Sequence, residues 1–149
     1  MMRFLYDTSV FVYARGGEHE YREPCRTVIR LAEQGVLAGE ASVELVQEYA
    51  HILRRRGLGG VDVRDQARDV AALCLLHDFA EEDLRLALNL VATHPVLRVR
   101  DAVHAATALR HGISVILSAD RDFDGIPGLE RLDPHDAARR LVPDPREAN

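Results

Sequence analysis

Three aspartates stand at the ends of segments that should pack on one sheet. Asp7 closes the apolar run Met2–Tyr6, Asp120 follows the apolar run ISVILSA (Ile113–Ala119), and Asp101 opens an alanine-rich helix just before that run. An ionised carboxylate at the end of a buried strand is costly unless something compensates its charge. In an open α/β sheet, ligands bind at the carboxyl ends of the strands, where Asp7 and Asp120 would both lie. A shared divalent-cation site is one reading of this set. In the other, Asp7 caps the next helix, Asp101 favours a helix dipole and Asp120 shapes a turn. Glu48 is a fourth candidate, one turn beyond Glu44 on its helix. Taken alone, it reads as a solvated side chain opposite the stripe Val46, Ala50 and Leu53. Spacing by itself leaves both readings open.

The elements that must position these acids alternate between strand and helix. Met2–Tyr6 reads as a buried strand, followed by a short helical or turn segment at Ser9–Ala14 that stops at Gly16-Gly17. Pro24 suits the first turn of a helix to about Gln34, with Gly35 as its stop. Val36–Ala41 reads as a second strand. Ser42 is the expected N-cap of a helix from Val43 to Arg56, with Val43, Val46, Ala50 and Leu53 as its apolar stripe. Gly57, Gly59 and Gly60 break the chain before two more helices, Val61–Leu76 and Glu81–Thr93. Asp101–His111 forms the alanine-rich helix, and Ile113–Ala119 is the clearest buried strand. Gly128–Leu132 is a weaker strand, and Asp133-Pro134 opens a last helix by capping. Continuously apolar strands alternating with helices predict an α/β fold with a mostly parallel sheet of about four or five strands covered on both faces. The domain is expected to span residues 1–141, with a frayed tail at 142–149.

Bulk properties narrow the classes. At 149 residues, with 47% hydrophobic and 29% charged residues, the chain suits one globular domain with its own core. No apolar run reaches the roughly 18–20 residues of a membrane span. No signal peptide is visible, so a cytoplasmic location is expected. Cys25 and Cys74 then read as reduced thiols, and two cysteines do not make a zinc site. A net charge of −5 excludes a polycation that grips nucleic acid with its whole surface, though not a local basic patch.

Four blocks of sequence carry a more specific signal: YDTSVFVYA (Tyr6–Ala14), SVELVQEYAHILRR (Ser42–Arg55), RDAVHAATALRHGI (Arg100–Ile113) and ILSADRDFDGIPGLERLDP (Ile116–Pro134). In this order they resemble the motif blocks of the PIN-domain ribonucleases, most closely the VapC-type toxins of prokaryotic toxin–antitoxin pairs. The resemblance runs from Met2 to Pro134 and implies a single PIN-like domain. It places metal-binding, catalytic acids at Asp7, Glu48, Asp101 and Asp120. The offset from Ser42 selects Glu48 over Glu44. Ser9 and Ser118 match hydroxyl positions that support such a site, and Asp122 is a further acid whose part varies between members.

The implied chemistry is hydrolysis of RNA phosphodiester bonds. Mg²⁺ or Mn²⁺ prefers oxygen ligands, which three or four carboxylates supply. In-line attack then uses water activated by the cation. The carboxylates repel one another without it and titrate as a group. Arg100 and Arg121 neighbour the proposed ligands and are the favoured phosphate contacts. Arg54, Arg55 and Arg56 also suit a helix C-terminus. Tyr13 and Phe11 lie near Asp7 and read as core residues able to stack on a base. His104, one turn after Asp101, reads as a hydrogen-bonded helix histidine rather than a base or ligand. The resemblance further implies a homodimer and a cognate antitoxin protein that fills the acidic groove. The helices at Pro24–Gln34 and Val61–Leu76 are candidate surfaces for either partner.

Other readings compete. A housekeeping or DNA-directed nuclease would keep the fold and change the substrate. A non-catalytic RNA- or protein-binding module would lack some of the acids, and all four are present. A haloacid-dehalogenase-like phosphatase requires a second aspartate two residues after the first, where Ser9 stands.

Overall fold

The computed structural model describes residues 2–146. Residue 1 and residues 147–149 of the expected tail lie outside the described residues. Within them the strands are β1 (Leu5–Tyr6), β2 (Gly39–Ser42), β3 (Cys74–His77), β4 (Val115–Leu117) and β5 (Glu130–Leu132). The helices are α1 (Thr8–Arg15), α2 (Arg22–Glu33), α3 (Val43–Arg55), α4 (Gly60–Leu73), α5 (Glu81–Thr93), α6 (Val99–Arg110) and α7 (Pro134–Leu141). A single 3-10 turn spans Arg121–Phe123.

The five strands form one sheet in the order β3-β2-β1-β4-β5, and every pair is parallel. Parallel strands need crossover helices, and these cover both faces. Alternation along the strands sorts the core accordingly. Phe4, Tyr6, Val115 and Leu117 join one buried cluster with residues of α1, α2, α3 and α7. Leu5 and Ile116 join the other, with Ala102, Ala105, Ala106 and Ala108 of α6. Small alanines on that face of α6 let its backbone approach the sheet.

The chain starts in the middle strand, winds outward to β2 and β3, then returns to build β4 and β5 on the other side. The order therefore reverses between β1 and β4. Such a switch point opens a crevice at the carboxyl ends of the strands. It lies where Asp7 leaves β1 and where Ser118 and Asp120 leave β4.

Three expectations on the elements need revision. The helix expected at Val61–Leu76 ends at Leu73, and Cys74–His77 becomes the edge strand β3, in register with β2 from Gly39↔Cys74 to Ser42↔His77. A short apolar run at a helix end fits either state, and pairing with β2 decides it. The core face of α3 is Leu45, Tyr49 and Leu53; of the expected stripe only Leu53 is fully buried, while Val43, Val46 and Ala50 are half-buried. Glu48 consequently flanks the buried stripe and is half-buried rather than solvated. The second strand starts at Gly39 rather than Val36, and Tyr6 leaves room only for glycine at that position. A Cβ there would stand 2.0 Å from the buried Tyr6 ring. The caps were legible: Ser42 Oγ accepts the Glu44 N–H at 3.0 Å, and Asp133 Oδ1 accepts the His135 N–H at 2.9 Å.

Candidate active site

Asp7 occupies the N-cap position of α1 but makes no capping hydrogen bond. Its ordinary role is therefore not taken. The side chain is 4% exposed, and its Oδ2 accepts from Ser9 Oγ and Ser118 Oγ, each at 2.6 Å. These hydroxyls arrive from the first turn of α1 and the end of β4. They orient the carboxylate but bring no positive charge. Ser118 Oγ also accepts the Asp120 N–H at 3.0 Å, which ties the loop after β4 to Asp7.

Asp120 keeps its turn role through one oxygen only. Oδ1 accepts the Asp122 N–H at 2.9 Å and starts the 3-10 turn. That turn swings Asp122 toward Asp101, which projects from the first turn of α6. Asp101, Asp120 and Asp122 each present a ligand oxygen, and these atoms lie within 4.8 Å of one another. All three are half-buried. Asp7, Glu48, Asp101 and Asp120 line one pocket of about 610 Å³, together with Tyr13 and Arg121. The four acids therefore share one pocket, while the tighter cluster consists of Asp101, Asp120 and Asp122 and does not include Asp7 or Glu48. The donor set is all oxygen, which fits a hard divalent cation such as Mg²⁺ or Mn²⁺.

Electrostatics mark the same spot. Burial pushes the Asp101 carboxyl up to about 7, and the negative Asp7 and Asp120 add to the rise. Glu48 is shifted the other way. Burial would raise its pKa, but the His104 ring and Arg100 outweigh it and hold the group below the ordinary carboxylate value. His104 is fully buried, with Nε2 3.1 Å from Thr8 Oγ1 and 3.6 Å from Glu48 Oε2. Burial lowers its pKa, yet Glu48, Asp7 and Asp101 more than reverse this. The sequence-based expectation of a hydrogen-bonded core histidine agrees with that position, and its partners are Thr8 and Glu48.

The remaining candidates divide. Arg121 is exposed and lines the pocket. Arg100 is exposed outside the pocket lining, close enough to Glu48 to stabilise its charge. Phe11 is 3% exposed and belongs to the core, whereas Tyr13 reaches the pocket. Of the three arginines at the end of α3, Arg56 lines the pocket. Sequence reasoning missed two contributors: Thr8 holds His104, and Arg131 donates from Nη1 to the Ser118 carbonyl at 3.1 Å. Thr8 adjoins Asp7 in the first block, which was a signal. Arg131 sits in a weak strand, where nothing local marks it.

Comparison with known proteins bears on the family. Residues 4–129 match the family model described as PIN domain. Ribonuclease VapC7 of Mycobacterium tuberculosis is 32% identical over 139 residues, covering 89% of this chain and 91% of that protein. Ribonuclease VapC13 of the same organism is 28% identical over 140 residues, covering 86% and 98%. Among solved structures, VapBC2 from Rickettsia felis, bound to a promoter DNA fragment, superposes with a TM-score of 0.66 at 14% identity, covering 89% of this chain and 98% of that one. VapC20 of Mycobacterium tuberculosis, a sarcin-ricin-loop-cleaving toxin, gives 0.64 at 16% identity, covering 85% and 98%. With a family match across most of its length and its acids gathered at the switch point of a parallel sheet, this chain belongs to the PIN domain family.

Proposed function

We propose that this chain is a metal-dependent endoribonuclease, the toxin of a toxin–antitoxin pair, acting in the cytoplasm. The observation that carries the catalytic part is a buried Asp7 with two hydroxyl donors and no cation, in a pocket shared with Glu48, Asp101 and Asp120. The names of the VapC relatives support RNA as the substrate. Asp7, Asp101 and Asp120 would hold the metal, with Asp122 beside them. A bound Mg²⁺ or Mn²⁺ would neutralise the carboxylates, polarise a phosphoryl oxygen and lower the pKa of an attacking water.

The chain's own groups do the rest. Ser9 and Ser118 fix one oxygen of Asp7 so that the carboxylate keeps a single orientation. Burial, helped by the negative charge of Asp7 and Asp120, favours a proton on Asp101 in the metal-free protein. Thr8 and His104 hold the Glu48 carboxylate ionised, facing the cluster, where it can accept a proton from water. Arg56 and Arg121 stand at the pocket to meet phosphate.

Structural similarity to a toxin–antitoxin complex from Klebsiella pneumoniae, with a TM-score of 0.64, supports a fold suited to an antitoxin partner. A groove of about 460 Å³ along α1, α2 and α4 is the surface we assign to it, with Ile29, Val70 and Leu73 in its wall. A homodimer is part of the same proposal. No helix among the described residues is long and apolar enough to cross a membrane. The direct test is cleavage of RNA by purified protein. Mg²⁺ or Mn²⁺ should support it, EDTA should abolish it, and Asp101→Asn should remove it while the circular dichroism spectrum stays unchanged. An active Asp101→Asn protein would refute the assignment.

A further inference from the structure

Rings are scarce in this chain: four tyrosines, four phenylalanines and no tryptophan. Tyr6 and Tyr49 are spent on the core. The other two, Tyr13 and Tyr21, are only half-buried, pack on the edge of the core and stand side by side, with Tyr13 at the acidic pocket. Tyr13, near the end of α1, lines that pocket directly. His19 stacks on it with centroids 4.5 Å apart and planes at 24°. Tyr21 follows at 5.6 Å from Tyr13, its plane 21° from that of His19. His135 of α7 extends the row, 4.9 Å from Tyr21. His19 and His135 are exposed, so the row presents ring surface to solvent.

The row is braced by the same scaffold that sets the acids. Tyr21 Oη donates to Asp133 Oδ2 at 2.7 Å, and Asp133 receives Arg131 NH1 at 3.4 Å. The same Arg131 nitrogen donates to the Ser118 carbonyl, and Ser118 Oγ holds Asp7. Ring positions and carboxylate positions are thus linked through one side chain. The rings stack at Tyr13–His19 and His19–Tyr21 and tilt by 37° at Tyr13–Tyr21 and 42° at Tyr21–His135, a row that suits flat, apolar faces. Glu18 and Glu20 flank His19, so this strip repels phosphate and is left for bases. The phosphate-binding charge, Arg56 and Arg121, lies in the pocket itself. Single-stranded RNA has this division, with bases that splay out to stack and a charged backbone.

We infer that Tyr13, His19, Tyr21 and His135 form a base-stacking platform that holds unpaired nucleotides of an RNA substrate beside the bond being cut. The inference rests on the ribonuclease reading and adds to it the side chains that would hold a base. Stacking on one ring is expected to change affinity roughly 5- to 100-fold, with little dependence on salt. Loss of a phosphate contact instead lowers the slope of log K against log salt.

The test measures cleavage and binding of a short single-stranded RNA by wild-type protein and by His19→Ala, Tyr13→Leu and Tyr13→Phe. Binding is read in the Asp101→Asn background, with intact RNA and with RNA made abasic beside the cut. His19→Ala and Tyr13→Leu should raise KM and weaken binding about 10-fold, with kcat, thermal midpoint and salt slope close to wild type. Tyr13→Phe should restore the Tyr13→Leu loss. On abasic RNA the same variants should show no additional loss. Affinities within twofold of wild type, with cleavage intact, would overturn the platform and leave the nuclease standing. Equal losses on intact and abasic RNA would overturn it too. Wild-type protein that cleaves no RNA with Mg²⁺ or Mn²⁺ would overturn the nuclease reading itself and the platform with it.

Discussion

Two carboxylates in this molecule are equally buried, and their surroundings could hardly differ more. Glu40 on β2 and Asp7 after β1 are each 4% exposed. Glu40 receives Arg3 through both oxygens, with Nε and NH2 each at 2.8 Å, and His77 Nε2 at 2.8 Å. Arg3, by its hydrogen bond, holds Glu40 below the ordinary carboxylate range against the effect of burial. Asp7 has two serine hydroxyls and a neighbourhood of further acids. A buried charge that serves the fold is paired where it stands. One that, among the described residues, has hydroxyls rather than a cation hydrogen-bonded to it, and lies among like charges, points to a place where further counter-charge comes from outside. Asp83 belongs with Glu40: it caps α5 through the Ala80 N–H at 2.7 Å and meets Arg110 at 3.2 Å.

Substitution should separate the two sites most sharply in activity. Asp7→Asn should lower RNA cleavage by at least about 100-fold without lowering the thermal midpoint, because it relieves repulsion. Glu40→Gln should leave kcat/KM within about twofold. An inactive Glu40→Gln protein that remains folded would break the contrast.

Metal removal gives the next largest effect. At a concentration about 100 times its Kd, Mg²⁺ or Mn²⁺ should stabilise the protein by about 2.7 kcal/mol, read as a rise in Tm. Asp7→Asn should abolish that rise, and Glu40→Gln should keep it.

Stability reverses the ranking of the two residues. Glu40→Gln leaves Arg3 and His77 facing a neutral amide, so the thermal midpoint in EDTA should fall by about 3–8 °C. Asp7→Asn should leave it level or higher.

In pH dependence the two sites should have opposite signs. Asp101 is raised to about 7 in the folded protein, so the metal-free fold binds more protons than the unfolded chain from about pH 4 to 7. Its contribution therefore falls as pH rises through that window. Glu40 is depressed, so its contribution is present above its unfolded pKa and is lost as pH falls through the folded one. Chemical denaturation in EDTA across pH should show Asp101→Asn removing the first slope and Glu40→Gln removing the second. Identical profiles for both variants would contradict the assignment.

Much of this was legible in the chain. Apolar runs at Met2–Tyr6 and Ile113–Ala119, the caps at Ser42 and Asp133, and the glycine stops set the α/β alternation, because each depends on neighbours a few residues away. Asp7, Asp101 and Asp120 stood out through their places at element ends, and the four ordered blocks brought Glu48 into the set. Local pattern could not show that Cys74–His77 would leave α4 and pair with β2, nor which stripe of α3 would turn inward. It also gave Asp101, Asp120 and Asp122 no common address, since the 3-10 turn and the first turn of α6 meet only after β4 inserts beside β1. Nothing in the local pattern marks Glu40, while the structure supplies its cations from Arg3 and His77. Residue type and short-range spacing determined which groups were able to carry charge. Which of those charges was neutralised within the molecule and which was left for a ligand depended on contacts between positions far apart in the chain, and only the packed sheet decides those.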